Sequence, residues 1–268
     1  MDAPTNLSPV LILLPPSEGK TPARRGRPLD LGALSSPALG AARRQVLDAL
    51  VELCRADPER ARVTLGLAPG LADLVARNAD LPTAPTARAD HVYSGVLYDA
   101  LDLPGLPADA RRRATSRVAV VSSLFGMVRP GDRIPAYRLS GDASLPGLGP
   151  VAGVWRAHLG GAVREALGPG LLVDLRSTTY AAFWRPEPDL ARRVVTVRVL
   201  HESNGRRTVV SHFNKATKGR LVRGLLEDGA NPGSVRALVA TLERLDWTVE
   251  AGAPGRSGTP IDVVVTEV

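Results

Sequence analysis

The chain has 268 residues, 44% of them hydrophobic and 23% charged, with a mean hydropathy of -0.01. That is enough apolar surface for a folded core and excludes a disordered or fibrous chain. A single cysteine, Cys54, leaves no internal disulfide framework. Lys plus Arg (34) exceed Asp plus Glu (27), giving +7, a balance that permits polyanionic partners without demonstrating one.

Only three of the basic residues are lysines: Lys20, Lys215 and Lys218. In a chain so biased towards arginine, a retained lysine marks a place where a compact, titratable ammonium is wanted, because the planar guanidinium does not deprotonate. The start of the chain lacks the basic segment and apolar core of a signal peptide, and its longest apolar run there, Val10 to Leu14, falls far short of the ~20 residues that span a bilayer. A cytoplasmic location without a membrane anchor is expected.

In chain order, Val10 to Leu14 reads as a buried strand. It runs into Pro15-Pro16-Ser17-Glu18-Gly19-Lys20-Thr21, superficially half of a phosphate-binding loop. The first glycine of that motif would stand at position 14, which is Leu14, so nucleoside triphosphatase chemistry is not expected. Lys20 is a candidate site residue; the plainer reading is a solvated loop lysine paired with Glu18. Leu39 to Leu53 carries helical spacing, and Arg62 to Asn78 sets a glycine-containing turn between two helical segments. His91 to Leu101 (HVYSGVLYDAL) concentrates Tyr93, Gly95 and Tyr98, rings able to stack on bases or to anchor a core through bonded hydroxyls.

A second strand, Val118 to Val121, opens into Ser122 to Leu139 (SSLFGMVRPGDRIPAYRL). Here Arg129, Arg133 and Arg138 stand among glycines and prolines, a rigid basic loop suited to phosphate contacts, or else a surface loop whose arginines pair with Asp132 and Asp142. Val151 to Leu167 is helical. Leu171 to Val173 is a third strand, followed by Asp174-Leu175-Arg176-Ser177. Ser122, Ser123 and Ser177 are possible nucleophiles, with Asp174 and His212 as partners, but the GxSxG elbow is absent.

Val194 to Leu200 and Thr208 to Phe213 flank an Asn-Gly turn and read as a β-hairpin. Ala216 to Leu226 is helical; Lys215 and Lys218, three apart, with Arg220 and Arg223 on adjoining faces, make a basic stripe at its start, suited to an anion or simply solvated. Ser234 to Leu245 is a helix with Ser234 as N-cap, and Ile261 to Val265 is a closing strand.

Strands interleaved with helices, plus a hairpin, specify a mixed α/β fold: a central mixed sheet containing at least one antiparallel hairpin, wrapped by helices. No repeat or linker divides residues 1–268, so a single domain is expected. Functional groups gather at the carboxyl ends of such strands, which predicts a pocket where Lys20, Tyr93, Ser123, Arg138, Asp174 and Lys215 converge. The four histidines are scattered and no cysteine pair exists, so neither a metal nor another cofactor is expected.

An ordered set of these segments resembles the YaaA family, bacterial proteins named for peroxide stress. The set is the Pro-Ser loop with Lys20; Tyr93-Ser94-Gly95 with Tyr98; Ser123-Leu124-Phe125-Gly126 running to Arg129-Pro130; Tyr137-Arg138-Leu139; Trp155; Asp174-Leu175 with Ser177 and Tyr180; and Lys215 with Lys218-Gly219. The likeness extends from Val10 to about Leu226. Ser17-Glu18-Gly19-Lys20 stands where Ser-Pro-Ala-Lys is commoner, and Asp174 and Arg176 replace Asn and Ala.

The resemblance implies a cytosolic peroxide-stress protein that limits iron- and peroxide-driven damage and has a basic cleft for DNA. It also implies a helix-hairpin-helix-like element, placed at residues 56–80, and it implies no established reaction. On this reading a monomer binds double-stranded DNA without sequence specificity, with Lys20, Arg129, Arg133, Arg138, Lys215, Lys218 and Arg220 as candidate phosphate contacts. The alternative is an enzyme acting on a small phosphorylated or nucleobase-containing substrate in the same cleft, with Lys20, Tyr93, Ser123, Asp174 and Lys215 as candidate catalytic residues. A third reading is a structural or partner-binding protein whose motifs hold the fold.

Overall fold

The strand β1 (Leu11–Leu14) is buried along its whole length, as an aliphatic run covered on both faces of a sheet must be. The structure is a computed structural model and describes residues 9–203, 205–208 and 211–266. On one side β1 pairs in parallel with β2 (Val118–Ser122), which turns back into an antiparallel edge strand, β3 (Gly126–Val128). On its other side β1 pairs in parallel with β4 (Leu172–Asp174), and β4 with β5 (Val194–Ser203). A short strand, β6 (Arg206–Thr208), folds back on the end of β5, and an antiparallel pair, β7 (Thr248–Ala251) and β8 (Thr259–Val265), closes the far edge, with β8 parallel to β5. The order is therefore β7-β8-β5-β4-β1-β2-β3: a parallel centre with antiparallel margins, the mixed α/β class the sequence specifies.

Helices cover this sheet. In chain order they are α1 (Gly40–Ala56), α2 (Pro58–Thr64), α3 (Asp73–Ala79), α4 (Val96–Leu101), α5 (Ala108–Arg117), α6 (Val151–Leu167), α7 (Ser211–Asp228) and α8 (Val235–Arg244), besides shorter turns. The Ser234 side chain caps α8, accepting the Ala237 N–H at 3.2 Å. Residues 56–80 hold the paired helices α2 and α3, separated by a turn through Gly66 (φ 63°) and both packed on α1. The hairpin is present but shorter than expected. The strand β6 ends at Thr208 and α7 starts at Ser211, so the end of the expected strand is helical, while Asn204, Val209 and Val210 lie outside the described residues.

Two features of the fold place the site. The chain adds β2 to one side of β1 and later β4 to the other, so loops leaving their carboxyl ends diverge and open a crevice at the point where the strand order reverses. Beside it, α7 crosses α4 so closely that a Cβ on Gly219 would lie 2.3 Å from the Leu97 carbonyl oxygen. Only glycine permits that approach, and it brings Lys215 and Lys218 to the crevice.

Candidate functional site

The loop after β1 is pinned to the segment before α4. The Tyr98 hydroxyl donates to the Pro15 carbonyl (2.7 Å), the Ser94 N–H donates to Ser17 Oγ (3.1 Å), the Thr21 N–H donates to the Val92 carbonyl (2.9 Å), and Lys20 bridges Tyr93 through the backbone. This directs the Lys20 side chain over two aromatic rings: Nζ stands 4.2 Å from the Tyr137 centroid and 5.6 Å from that of Tyr93, and it donates to the Ser17 carbonyl at 2.5 Å. Beneath, the Tyr137 hydroxyl meets Ser122 Oγ (2.7 Å) and the Tyr93 hydroxyl (3.2 Å), while Tyr93 stacks on Tyr98 with centroids 5.2 Å apart. Burial pushes the pKa of Tyr93, Tyr98 and Tyr137 above the usual phenol value, so these rings stay neutral and their hydroxyls serve as hydrogen-bond donors.

Lys20 itself is partly buried. Loss of hydration lowers its pKa to about 7, the positive charge of Arg138 acts in the same direction, and Glu18 opposes both. The amine therefore exchanges a proton near neutrality, where acid–base groups work best.

Arg138 is held at its backbone by the fully buried Asn78, whose Oδ1 accepts the Arg138 N–H (2.9 Å) and whose Nδ2 donates to the Arg138 carbonyl (2.7 Å). Its guanidinium reaches Glu18 Oε2 at 3.2 Å, with the Glu18 side chain 85% exposed and that of Arg138 21%. A pair that long and that wet contributes about 1 kcal/mol or less. The sequence pairs Glu18 with Lys20; in the structure its ion-pair partner is Arg138.

Lys215, near the start of α7, is exposed and faces the same space. Lys218, a turn further on, instead donates to the Leu175 carbonyl just beyond β4 (3.2 Å). Burial lowers its pKa, with Asp174 opposing. The basic stripe thus divides, since Arg223 turns away to Asp102 and Arg220 is exposed outside the cleft lining.

Asp174 sits at the end of β4 with both carboxylate oxygens taken by Arg176: Oδ1 accepts from the backbone N–H (3.0 Å) and Nε (2.8 Å), and Oδ2 from a terminal nitrogen (2.7 Å). The Arg176 side chain, 1% exposed, also donates to the carbonyls of Tyr180 and Trp184. This buried pair shapes the loop that presents Ser177, Thr179 and Tyr180 to the cleft. Ser123 is likewise engaged, its hydroxyl donating to the Leu139 carbonyl (2.6 Å) and its own carbonyl accepting the Trp155 indole N–H (2.6 Å).

The resulting cleft encloses about 410 Å³, within the range of small-molecule sites. Lys20, Arg138 and Lys215 line it together with Glu18, Asp142, Tyr98 and Tyr180. Tyr93 lies beneath Lys20, and Ser123 and Asp174 lie behind the lining with their side chains bonded. Arg129 and Arg133 stand elsewhere, donating to the Ser116 and Val118 carbonyls and to the Thr86 carbonyl respectively. The chain has four tyrosines and three lysines. Every tyrosine lines the cleft or supports Lys20, and every lysine lies at the cleft or against the strand end behind it. Scarcity was the usable signal, and it applied equally to Tyr137 and Tyr180, which the sequence reading cites only as family motif residues. Among the described residues no three His, Cys, Asp or Glu side chains are grouped as a metal would require, and no helix is long and apolar enough to cross a membrane.

The fold and site define an α/β protein with a lysine-centred cleft at the switch point of its sheet. Comparison with known families sharpens the class. The family model described as peroxide stress protein YaaA matches residues 10–251, and the chain belongs to that family. It is 53% identical to UPF0246 protein SCO2297 of Streptomyces coelicolor over 97% of this chain and 100% of that one, and 43% identical to UPF0246 protein CE1889 of Corynebacterium efficiens over 81% and 84%. It is also 31% identical to the uncharacterized protein Cj0984 of Campylobacter jejuni over 53% and 54%.

Proposed function

We propose that this YaaA-family protein acts in the cytoplasmic peroxide stress response as an enzyme, through the cleft at the carboxyl ends of β1, β2 and β4, on a small phosphorylated or nucleobase-containing molecule. Lys20 is the group that takes and returns the proton. The observation that carries this reading is the placement of the Lys20 amine in the cleft over the Tyr137 ring, where loss of hydration lowers its pKa to about 7. An ordinary surface lysine does not titrate there, and groups tuned to neutrality concentrate at functional sites. Tyr98 and Tyr180 line the cleft beside Lys20, and Arg138 and Lys215 offer positive charge.

Peroxide survival of a strain lacking its own copy tests the reading. Wild-type protein restores survival, whereas Lys20→Met, which melts no lower than wild type, does not, and neither does Lys20→Arg. Full protection by Lys20→Met overturns the proposal.

A second reading, non-specific binding of duplex DNA to limit iron- and peroxide-driven damage, is favoured by one further observation. Arg24, Arg25 and Arg27, on the segment following Lys20, are exposed and hold no ion pair among the described residues. If they contact phosphates, replacing all three by alanine lowers the slope of log affinity against log salt by about 2 to 3, since each neutralised phosphate contributes about 0.9. An unchanged slope removes this reading.

A further inference from the structure

The contact between Glu18 and Arg138 has the marks of an occupied ligand position rather than of a structural bond. Arg138 is fixed: Asn78, fully buried, clamps its backbone on both sides, and the side chain lies along the cleft wall. Glu18 is not fixed. It belongs to an exposed loop tip, its side chain reaches back to the guanidinium through one oxygen, and the distance, 3.2 Å, is longer than the 2.7–2.9 Å usual for a charge-assisted bond. The guanidinium is also incompletely used, because among the described residues Arg138 Nε is sealed from solvent and meets no acceptor. A buried N–H without an acceptor is costly and favours any rearrangement that supplies one. Across the cleft, Lys215 adds a second cation that holds no ion pair among the described residues. The other lining carboxylate, Asp142, is engaged by the Thr179 hydroxyl. The cleft therefore presents two cations, one of them tethered only by a solvated carboxylate from the loop after β1.

We propose that Arg138 and Lys215 form an oxyanion subsite, that Glu18 is its internal stand-in, and that the ligand of the cleft carries a phosphate or carboxylate group that displaces Glu18 and engages the guanidinium. This rests on the reading of the cleft as a small-molecule site and adds the chemical class of what enters it. Swinging Glu18 out also removes the negative charge that favours the protonated form of Lys20, and the incoming anion replaces it. Occupancy of the subsite therefore sets how readily the amine holds its proton.

The three lysines make the test direct. With 13Cε-labelled lysine, pyrophosphate and succinate are titrated separately into wild type, Glu18→Gln and Arg138→Met. Whichever probe binds identifies phosphate or carboxylate as the preferred group. Glu18→Gln, which removes the competing charge, is expected to bind it about two- to fivefold more tightly than wild type, and Arg138→Met at least about tenfold more weakly. The Lys20 and Lys215 resonances move on binding and that of Lys218 stays. Equal affinity in wild type and Glu18→Gln, or no response of Lys20 to either anion, overturns the inference. Because Glu18→Gln touches no buried group, its result stands even if Arg138→Met is unstable. Loss of peroxide protection in Lys20→Met, with neither anion bound, sinks the subsite while leaving the cleft's function intact. Anion binding in a protein whose Lys20→Met variant protects fully does the reverse.

Discussion

Replacing Asp174 by alanine is expected to destabilise the protein by about 3–5 kcal/mol, the usual consequence of removing one partner from a buried ion pair. The geometry accounts for the size. Three of the hydrogen bonds that satisfy the Asp174–Arg176 unit end on the lost carboxylate, and the Arg176 side chain is 1% exposed, so its charge cannot turn to water. The carbonyls of Tyr180 and Trp184 and the face of the Trp184 ring remain as partners but carry no countercharge. In a chain of this length the loss corresponds to a fall in melting temperature of roughly 10 °C.

Asp174→Asn, which keeps the shape without the charge, falls between. The double replacement Asp174→Leu with Arg176→Met recovers most of the loss, because neither charge is then buried. Urea and thermal unfolding measure all three. An alanine variant as stable as wild type contradicts the account. The experiment also separates two roles for Asp174: a carboxylate already saturated by Arg176 is expected to matter through the loop bearing Ser177, Thr179 and Tyr180, not through proton transfer.

How much of this was legible in the sequence differs from element to element. The segments that became β1, β2, β4, α1, α6 and α8 announce themselves through aliphatic runs or sustained helical spacing, and the structure places them within a few residues of where the pattern does. The edge strands β3 and β7 are short and carry no run of their own; only pairing with β2 and β8 makes them strands. The three loops that build the cleft were readable as polar segments at strand ends, with Lys20 and Arg138 readable as candidates within them and Lys215 as one near the start of α7. Which charges meet was not, because sequence distance says nothing of contacts such as Glu18 with Arg138, 120 residues apart.

Arg43 is the clearest omission. In the sequence it is one arginine among 31, yet it is fully buried in α1 and donates to the carbonyls of Phe125 (3.0 Å), Met127 (2.7 Å) and Ser35 (2.6 Å), tying that helix to the β2–β3 turn. Its burial lowers its pKa to about 10. Nothing in helical spacing distinguishes such a clamp from a solvated residue.

The second large effect is the depression of Lys20 from 10.5 to about 7. Its consequence for stability has a definite sign. Between those two values the unfolded chain binds a proton at this residue that the native protein does not, so Lys20 makes stability rise with pH from about 7 to about 10.5, and its penalty is fully present below 7. Lys20→Met abolishes that contribution. The variant's advantage in melting temperature over wild type is expected to be largest below pH 7 and to shrink as pH approaches 10. A protein that relinquishes stability at one lysine, while seating it over rings that are themselves fully bonded, matches the pattern of functional residues held against their own preference.

The central claim is that the cleft is organised around an amine poised at neutrality, and a 13Cε-lysine NMR titration from pH 5 to 11 tests it most directly. With three lysines in the chain the spectrum holds three side-chain signals, and the one missing from Lys20→Met is Lys20. Its midpoint is expected near pH 7, shifting downward in Glu18→Gln and upward in Arg138→Met. A Lys20 midpoint at 10 or above contradicts the account.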